Sequence, residues 1–146
     1  MHKDFYASGF IYHPKTQQIL LQQVNLENET PAWSLLSEKG STNKTGEEIF
    51  KEMSFSKFKI ELKIKNIHLI YTYFSDETKR NHNIYYAEVN KITKPSLNQK
   101  NTFGWFTFKQ ITKLNLLNQA KHDIVIGQRV IQSSVRKTLG ERTIDE

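Results

Sequence analysis

The side chains best placed to do chemistry lie between Trp33 and Ile60, in the run WSLLSEKGSTNKTGEEIFKEMSFSKFKI. Glu48 and Glu52 are four residues apart, so on a helix they share a face and could hold a cation weakly between them. A plainer use fits each better: Glu48 as a helix-cap residue and Glu52 as solvated surface. Lys44 and Lys57 carry ammonium groups suited to phosphate oxygens. Ser37 and Ser41 sit in a polar loop with no neighbouring His/Asp arrangement, so nucleophilic catalysis has no support. The five histidines form no pair at metal-ligand spacing on one element. His68 and His82 could approach across a hairpin, although chance placement explains them as well. Residues 89–122 contain no Asp or Glu, which leaves Glu88, Asp76 and Glu77 as the remaining carboxylates for a base, none with supporting spacing. The absence of cysteine excludes disulfides, thiolate metal sites and cysteine nucleophiles.

The elements that must position these groups follow from periodicity. Phe5–Tyr12 reads as a strand, turned by His13-Pro14-Lys15 into a second, Gln18–Gln22. Asn25–Pro31 reads as a loop and Trp33–Leu36 as a short third strand. Ser37–Thr45 has loop composition, and Thr45 can cap the helix that follows, with Glu48 in capping-box position. Ile49, Phe50, Met53 and Phe58 share one helical stripe. Phe58, Ile60, Leu62 and Ile64 alternate with Lys59, Glu61, Lys63 and Lys65, which predicts a half-buried strand whose lysines protect a sheet edge. His68–Ser75 and Asn83–Asn90 read as a hairpin across SDETKRNH, and Thr102–Phe108 as another strand. A short helix near Gln110–Leu117 and a long one, Ala120–Leu139, complete the chain, with Gly140 placed as a C-cap glycine. These boundaries predict one domain over residues 1–140 and a frayed tail over 141–146.

The segment from Trp33 resembles the signature of the Nudix (MutT-type) hydrolases: Trp-x-Leu-Pro-Gly-Gly, a loop glutamate, a helix carrying Arg-Glu-x-x-Glu-Glu, then Gly and an apolar residue. The opening ASGFIYHPKTQQILLQQ is similar to that family's first hairpin, and FGWFTFKQITKL followed by AKHDIVIGQRVI to its ending. The resemblance implies an α/β fold, an α/β/α sandwich around a mixed sheet. It also implies magnesium-dependent hydrolysis of nucleoside diphosphate-X bonds, in which helix carboxylates supply the metal's oxygen ligands. Aligned without a gap, the apolar anchors fit and the chemistry does not. The two glycine positions fall on Ser37 and Glu38, the loop glutamate on Lys44 and the arginine on Glu52. The helix glutamates fall on Met53, Ser56 and Lys57, and the closing glycine on Lys59. Four carboxylate positions, nominally −4, thus become nominally +2, which disfavours a divalent cation.

Bulk composition agrees with a single soluble domain: 146 residues, 37% hydrophobic, 25% charged, with no apolar run long enough to span a membrane. The N-terminus has no signal-peptide pattern, and the expected location is the cytoplasm. A net charge of +6 favours anionic partners, among which nucleic acid lacks a supporting motif. Two functional readings stay open. In the first, a catalytically impaired Nudix-like domain binds a phosphorylated or nucleotide-like ligand through Lys44, Lys57, Ser37, Glu38 and Trp33, with Tyr71 or Tyr73 as further stacking candidates and no cofactor; a variant of it is a protein-interaction domain. In the second, a divergent hydrolase uses magnesium on Glu48 and Glu52. A homodimer is compatible with both.

Overall fold

The computed structural model describes residues 5–25, 30–40, 43–92 and 102–144, with the side chains of the last helix described to residue 133. Among these residues seven strands form one sheet: β1 (Phe5–His13), β2 (Gln18–Val24), β3 (Ala32–Ser34), β4 (Leu36–Gly40), β5 (His68–Ser75), β6 (Arg80–Glu88) and β7 (Phe103–Thr107). The spatial order is β3-β2-β1-β6-β5, with β4 added to β1 and β7 to β2. β1 runs parallel to β6 over Phe5–Tyr12, and the other pairings are antiparallel, so the sheet is mixed.

Strand alternation divides the apolar side chains between two cores. Ala7, Ile11, Leu20, Leu36, Tyr85 and Ala87 face helix α1 (Gly46–Phe58), which contributes Ile49, Phe50, Met53 and Phe58. Phe10, Tyr12, Ile19, Leu21, Ile84 and Tyr86 face the opposite way. There they meet the single helical turn α2 (Phe108–Ile111) and the long helix α3 (Asn118–Ile144), through Ile111, Ala120, Ile124 and Ile131. The result is an α/β/α sandwich, as the resemblance implies. No helix among the described residues is long and apolar enough to cross a membrane.

Four expectations change. Residues 59–63 are extended but join no ladder, and Ile64–Asn66 form a 3₁₀ turn. Phe58, Ile60 and Leu62 are nevertheless buried, because the segment runs along the α1 core and drops every second side chain into it. Period two here reports alternating burial, not strand pairing, so Lys59 and Lys63 protect no sheet edge. Ser37–Gly40, expected as loop, belongs to β4 and pairs with β1 from Phe5↔Gly40 to Gly9↔Leu36. Finally, Gly140 does not end the last helix: α3 starts at Asn118 and continues to Ile144. A glycine inside a helix costs about 1 kcal/mol relative to alanine, which a helix this long absorbs. The helix expected over Gln110–Leu117 is also only the one turn of α2, closed by a full capping box between Thr107 and Gln110.

Candidate functional site

Helix α1 starts where Thr45 Oγ1 accepts a hydrogen bond from the Glu48 N–H at 3.2 Å, as the sequence predicts. It stops at Lys59, whose φ of 59° lies in the left-handed region. The Lys59 and Ile60 N–H groups donate to the Phe55 and Ser54 carbonyls, each at 3.0 Å. Lys59 stands where the resembled pattern has glycine, the residue that tolerates this backbone. Ile60, the pattern's final apolar position, is buried at once afterwards.

The charged side chains of this segment pair with one another. Lys44 Nζ donates to both carboxylate oxygens of Glu52, each at 2.8 Å. Where the pattern has an acid on the loop and a base on the helix, this chain has a base on the loop and an acid on the helix, and the two pair. Lys57 Nζ lies 3.0 Å from Glu38 Oε2, linking α1 to β4. Both pairs are substantially exposed to water, so each contributes at most about 1 kcal/mol.

These positions make a poor magnesium site. Positions 44, 53, 56 and 57 offer two ammonium groups, a thioether and a hydroxyl, whereas magnesium requires hard oxygen ligands in octahedral array. Met53 is also buried in the α1 core. Glu52 is held by Lys44, and Glu48 and Glu52 line an outer groove of α1 beside Phe55 and Leu62. Among the described residues no three of His, Asp and Glu gather closely enough to hold a metal ion.

The remaining sequence candidates lie under α3. Ser37 pairs across the sheet with Ser8, whose Oγ donates to Ser37 Oγ at 2.7 Å. Trp33 packs edge-on against Phe106, with ring centroids 4.9 Å apart, and its backbone N–H and C=O bond to Asn115 and Leu117. The five proposed ligand residues therefore divide: Lys44, Lys57 and Glu38 on the α1 side, Ser37 and Trp33 on the α3 side. Ser41 lies outside the described residues. His68 and His82 do not approach one another, because they occupy opposite ends of the β5–β6 ladder.

The α3 side also holds a cluster that sequence reading assembled only in part. His82 is sandwiched between Tyr6 (centroids 4.8 Å, 18°) and Tyr73 (4.9 Å, 11°), and Tyr73 stacks in turn on Tyr71. The Tyr71 hydroxyl donates to Asp123 Oδ1, which also accepts from Gln119 Nε2 at 3.0 Å. Asp123 is only 3% exposed. Burial raises its carboxyl above the ordinary range, against the opposing hydrogen bonds from Tyr71 and Gln119. Burial, then Asp123, raises the Tyr71 and Tyr73 hydroxyls, while burial lowers His82.

A raised carboxyl pKa means that the folded state binds its proton more tightly, so this group's contribution to stability falls as pH rises through the folded-state value. In Asp123→Asn, Oδ1 can still accept from Tyr71 and Gln119, but the charge is gone. The melting-temperature difference between this variant and the parent should therefore move in the variant's favour as pH is raised from about 4 to about 8. Parallel pH–Tm curves for the two proteins would contradict a strained Asp123 charge.

Comparison with solved structures places this architecture. The NUDIX domain of Shewanella oneidensis NrtR, in complex with ADP ribose, matches with a TM-score of 0.71 at 11% identity, covering 90% of each chain. The C-terminal domain of mouse MUTYH, in complex with human PCNA, matches at 0.67 and 10% identity over 90% of this chain and 91% of that one. A MutT/nudix family protein from Enterococcus faecalis matches at 0.60 and 13% identity over 73% of this chain, which spans only 44% of that protein. No protein-family model and no curated protein sequence matches the chain. The fold is the Nudix fold.

Proposed function

We propose that this domain binds a nucleotide-like or otherwise phosphorylated small molecule without the magnesium-dependent hydrolysis associated with its fold. The observation that carries this reading is the charge at the helix site. The positions expected to hold four carboxylates hold Lys44, Met53, Ser56 and Lys57, and both lysines are tethered at the surface. Because exposed ion pairs are weak, a diphosphate can compete with Glu52 and Glu38 for the two ammonium groups. Lys44 and Lys57 then supply the positive charge that a metal would otherwise bring to the phosphates.

Ser37 and Trp33, on the other face of the sheet from the two lysines, take no part in this phosphate contact. The ADP ribose bound to the NrtR domain makes that compound the first probe to use. The alternative, a hydrolase drawing magnesium to Glu48 and Glu52, is weakened by the engagement of both Glu52 oxygens with Lys44.

The test is a thermal-shift screen of nucleotides and diphosphate conjugates, ADP ribose among them, each with magnesium and with EDTA. Ligand binding raises Tm by mass action, so the screen reports ligand and metal dependence together. Stabilisation that persists in EDTA and is lost in a Lys44→Ala/Lys57→Ala double variant supports this reading. Stabilisation confined to magnesium, and lost in Glu48→Ala, would transfer the assignment to the hydrolase.

A further inference from the structure

Between helix α1 and strand β5 the chain runs outside the sheet, and a groove separates it from the end of β6. The β5–β6 ladder ends at His68↔Tyr86, while β6 continues to Glu88 alongside β1. Beyond Tyr86 the β5 side of β6 therefore has no partner strand among the described residues. Upstream, residues 59–63 are extended outside any ladder before the turn at Ile64–Asn66. The cavity between the two segments measures about 490 Å³ and is lined by residues 59–63 and 66 and by residues 88–91.

Its main chain is open. The N–H groups of Glu61, Leu62 and Lys63 have no main-chain acceptor among the described residues. Leu62 is only 6% exposed, and buried main-chain donors are normally satisfied. Because the Val89 N–H bonds to the Tyr12 carbonyl of β1, the main-chain groups of Glu88 point the opposite way, toward the side that β5 has left. The charge at the groove is positive. Lys59, Lys63 and Lys91 border it and take part in no ion pair among the described residues, although Lys59 sits 5.8 Å over the Phe55 ring. Of the two carboxylates there, Glu88 accepts from the Tyr86 hydroxyl, which leaves Glu61 against three ammonium groups. The residues that follow, 93–101, contain Lys94, Lys100 and no acid, and so do not complement it.

We propose that this groove is a docking site for an extended acidic peptide of a partner protein. The peptide lies along residues 61–63 and the end of β6, where its main chain bonds to the open groups and its carboxylates meet Lys59, Lys63 and Lys91. The site is separate from Lys44 and Lys57, neither of which lines it. A nucleic acid would satisfy the lysines but carries no strand edge for the main chain.

The probe is an acetylated, amidated hexapeptide of alternating aspartate and valine, titrated into the isotope-labelled full chain and followed by amide NMR. The amides of Glu61, Leu62, Lys63 and Glu88 are expected to shift together and to exchange more slowly with solvent. Charge reversal in Lys63→Glu/Lys91→Glu should raise the peptide's Kd at least about tenfold. The same peptide N-methylated at alternate residues keeps its charge, loses one edge of donors, and should lose most of its affinity. No shift at these amides at about 1 mM peptide would overturn the proposal. So would equal binding by the methylated peptide or by hexathymidylate, which would reduce the groove to a surface for polyanions.

Discussion

Returning carboxylates to positions 44, 53, 56 and 57 is expected to make the stability of this domain depend on magnesium. The variant combines Lys44→Glu, Met53→Glu, Ser56→Glu and Lys57→Glu with Glu52→Arg, so that the ion pair between positions 44 and 52 is kept with its charges exchanged. The four site positions then change from nominally +2 to −4. Met53 is 2% exposed, and an ionised carboxylate placed there without a counter-ion costs several kcal/mol. In EDTA the variant should therefore melt well below the parent. Magnesium at about a hundred times its dissociation constant would return about 2.7 kcal/mol. The parent, whose lysines repel the ion, should melt at the same temperature in magnesium and in EDTA. A variant indifferent to magnesium would show that these positions do not converge as the alignment requires. A parent stabilised by magnesium would show that other oxygens hold it.

That experiment rests on a position map read from sequence, and the structure shows where such reading works. α1 was legible because it buries one regular stripe, and β1 and β2 because their apolar runs are buried on both faces and are separated by the turn at His13-Pro14-Lys15. Lys59 was legible as the glycine position, although its left-handed φ was not, since nothing in its side chain reports it. β4 was missed beyond Leu36 because SEKG has loop composition. Its place is set by pairing with β1 and by two neighbours, Phe5 against Gly40 and Lys57 on Glu38. Residues 58–64 were misread because alternating burial looks the same whether the partner is a strand or a helix-covered core. The Tyr6–His82–Tyr73–Tyr71–Asp123 series could not be assembled from sequence. Its members come from β1, β5, β6 and α3, and only the parallel β1–β6 pairing aligns Tyr6 with His82. Lys44 and Glu52 were visible in the sequence as two isolated departures from the resembled pattern, and only the structure shows that they pair.

The same β1–β6 pairing sets the second large effect, at Gly9. This residue lies between Leu36 of β4 and Tyr85 of β6. A Cβ built on it would lie 2.2 Å from the Tyr85 carbonyl oxygen and 2.8 and 2.9 Å from the carbonyl carbon and amide nitrogen of the same residue. These are main-chain atoms of the parallel partner, so no rotamer change relieves the clash and the strands must separate or slide. Sliding is opposed from both sides, because Ala7 and Ile11 are locked into the α1 core and Phe10 into the α3 core, all fully buried. Gly9→Ala should cost about 3 kcal/mol or more, a large part of the roughly 5–15 kcal/mol that holds a domain together. Gly104→Ala is the matched control: its nearest neighbour is the Phe106 ring at 3.1 Å, a side chain that can turn aside, and its effect should stay within about 1 kcal/mol. Urea denaturation with unchanged slope would measure both. Equal midpoints for the two variants would mean that β1 and β6 are not in the close parallel contact on which the placement of Tyr6, Ser8 and His82 depends.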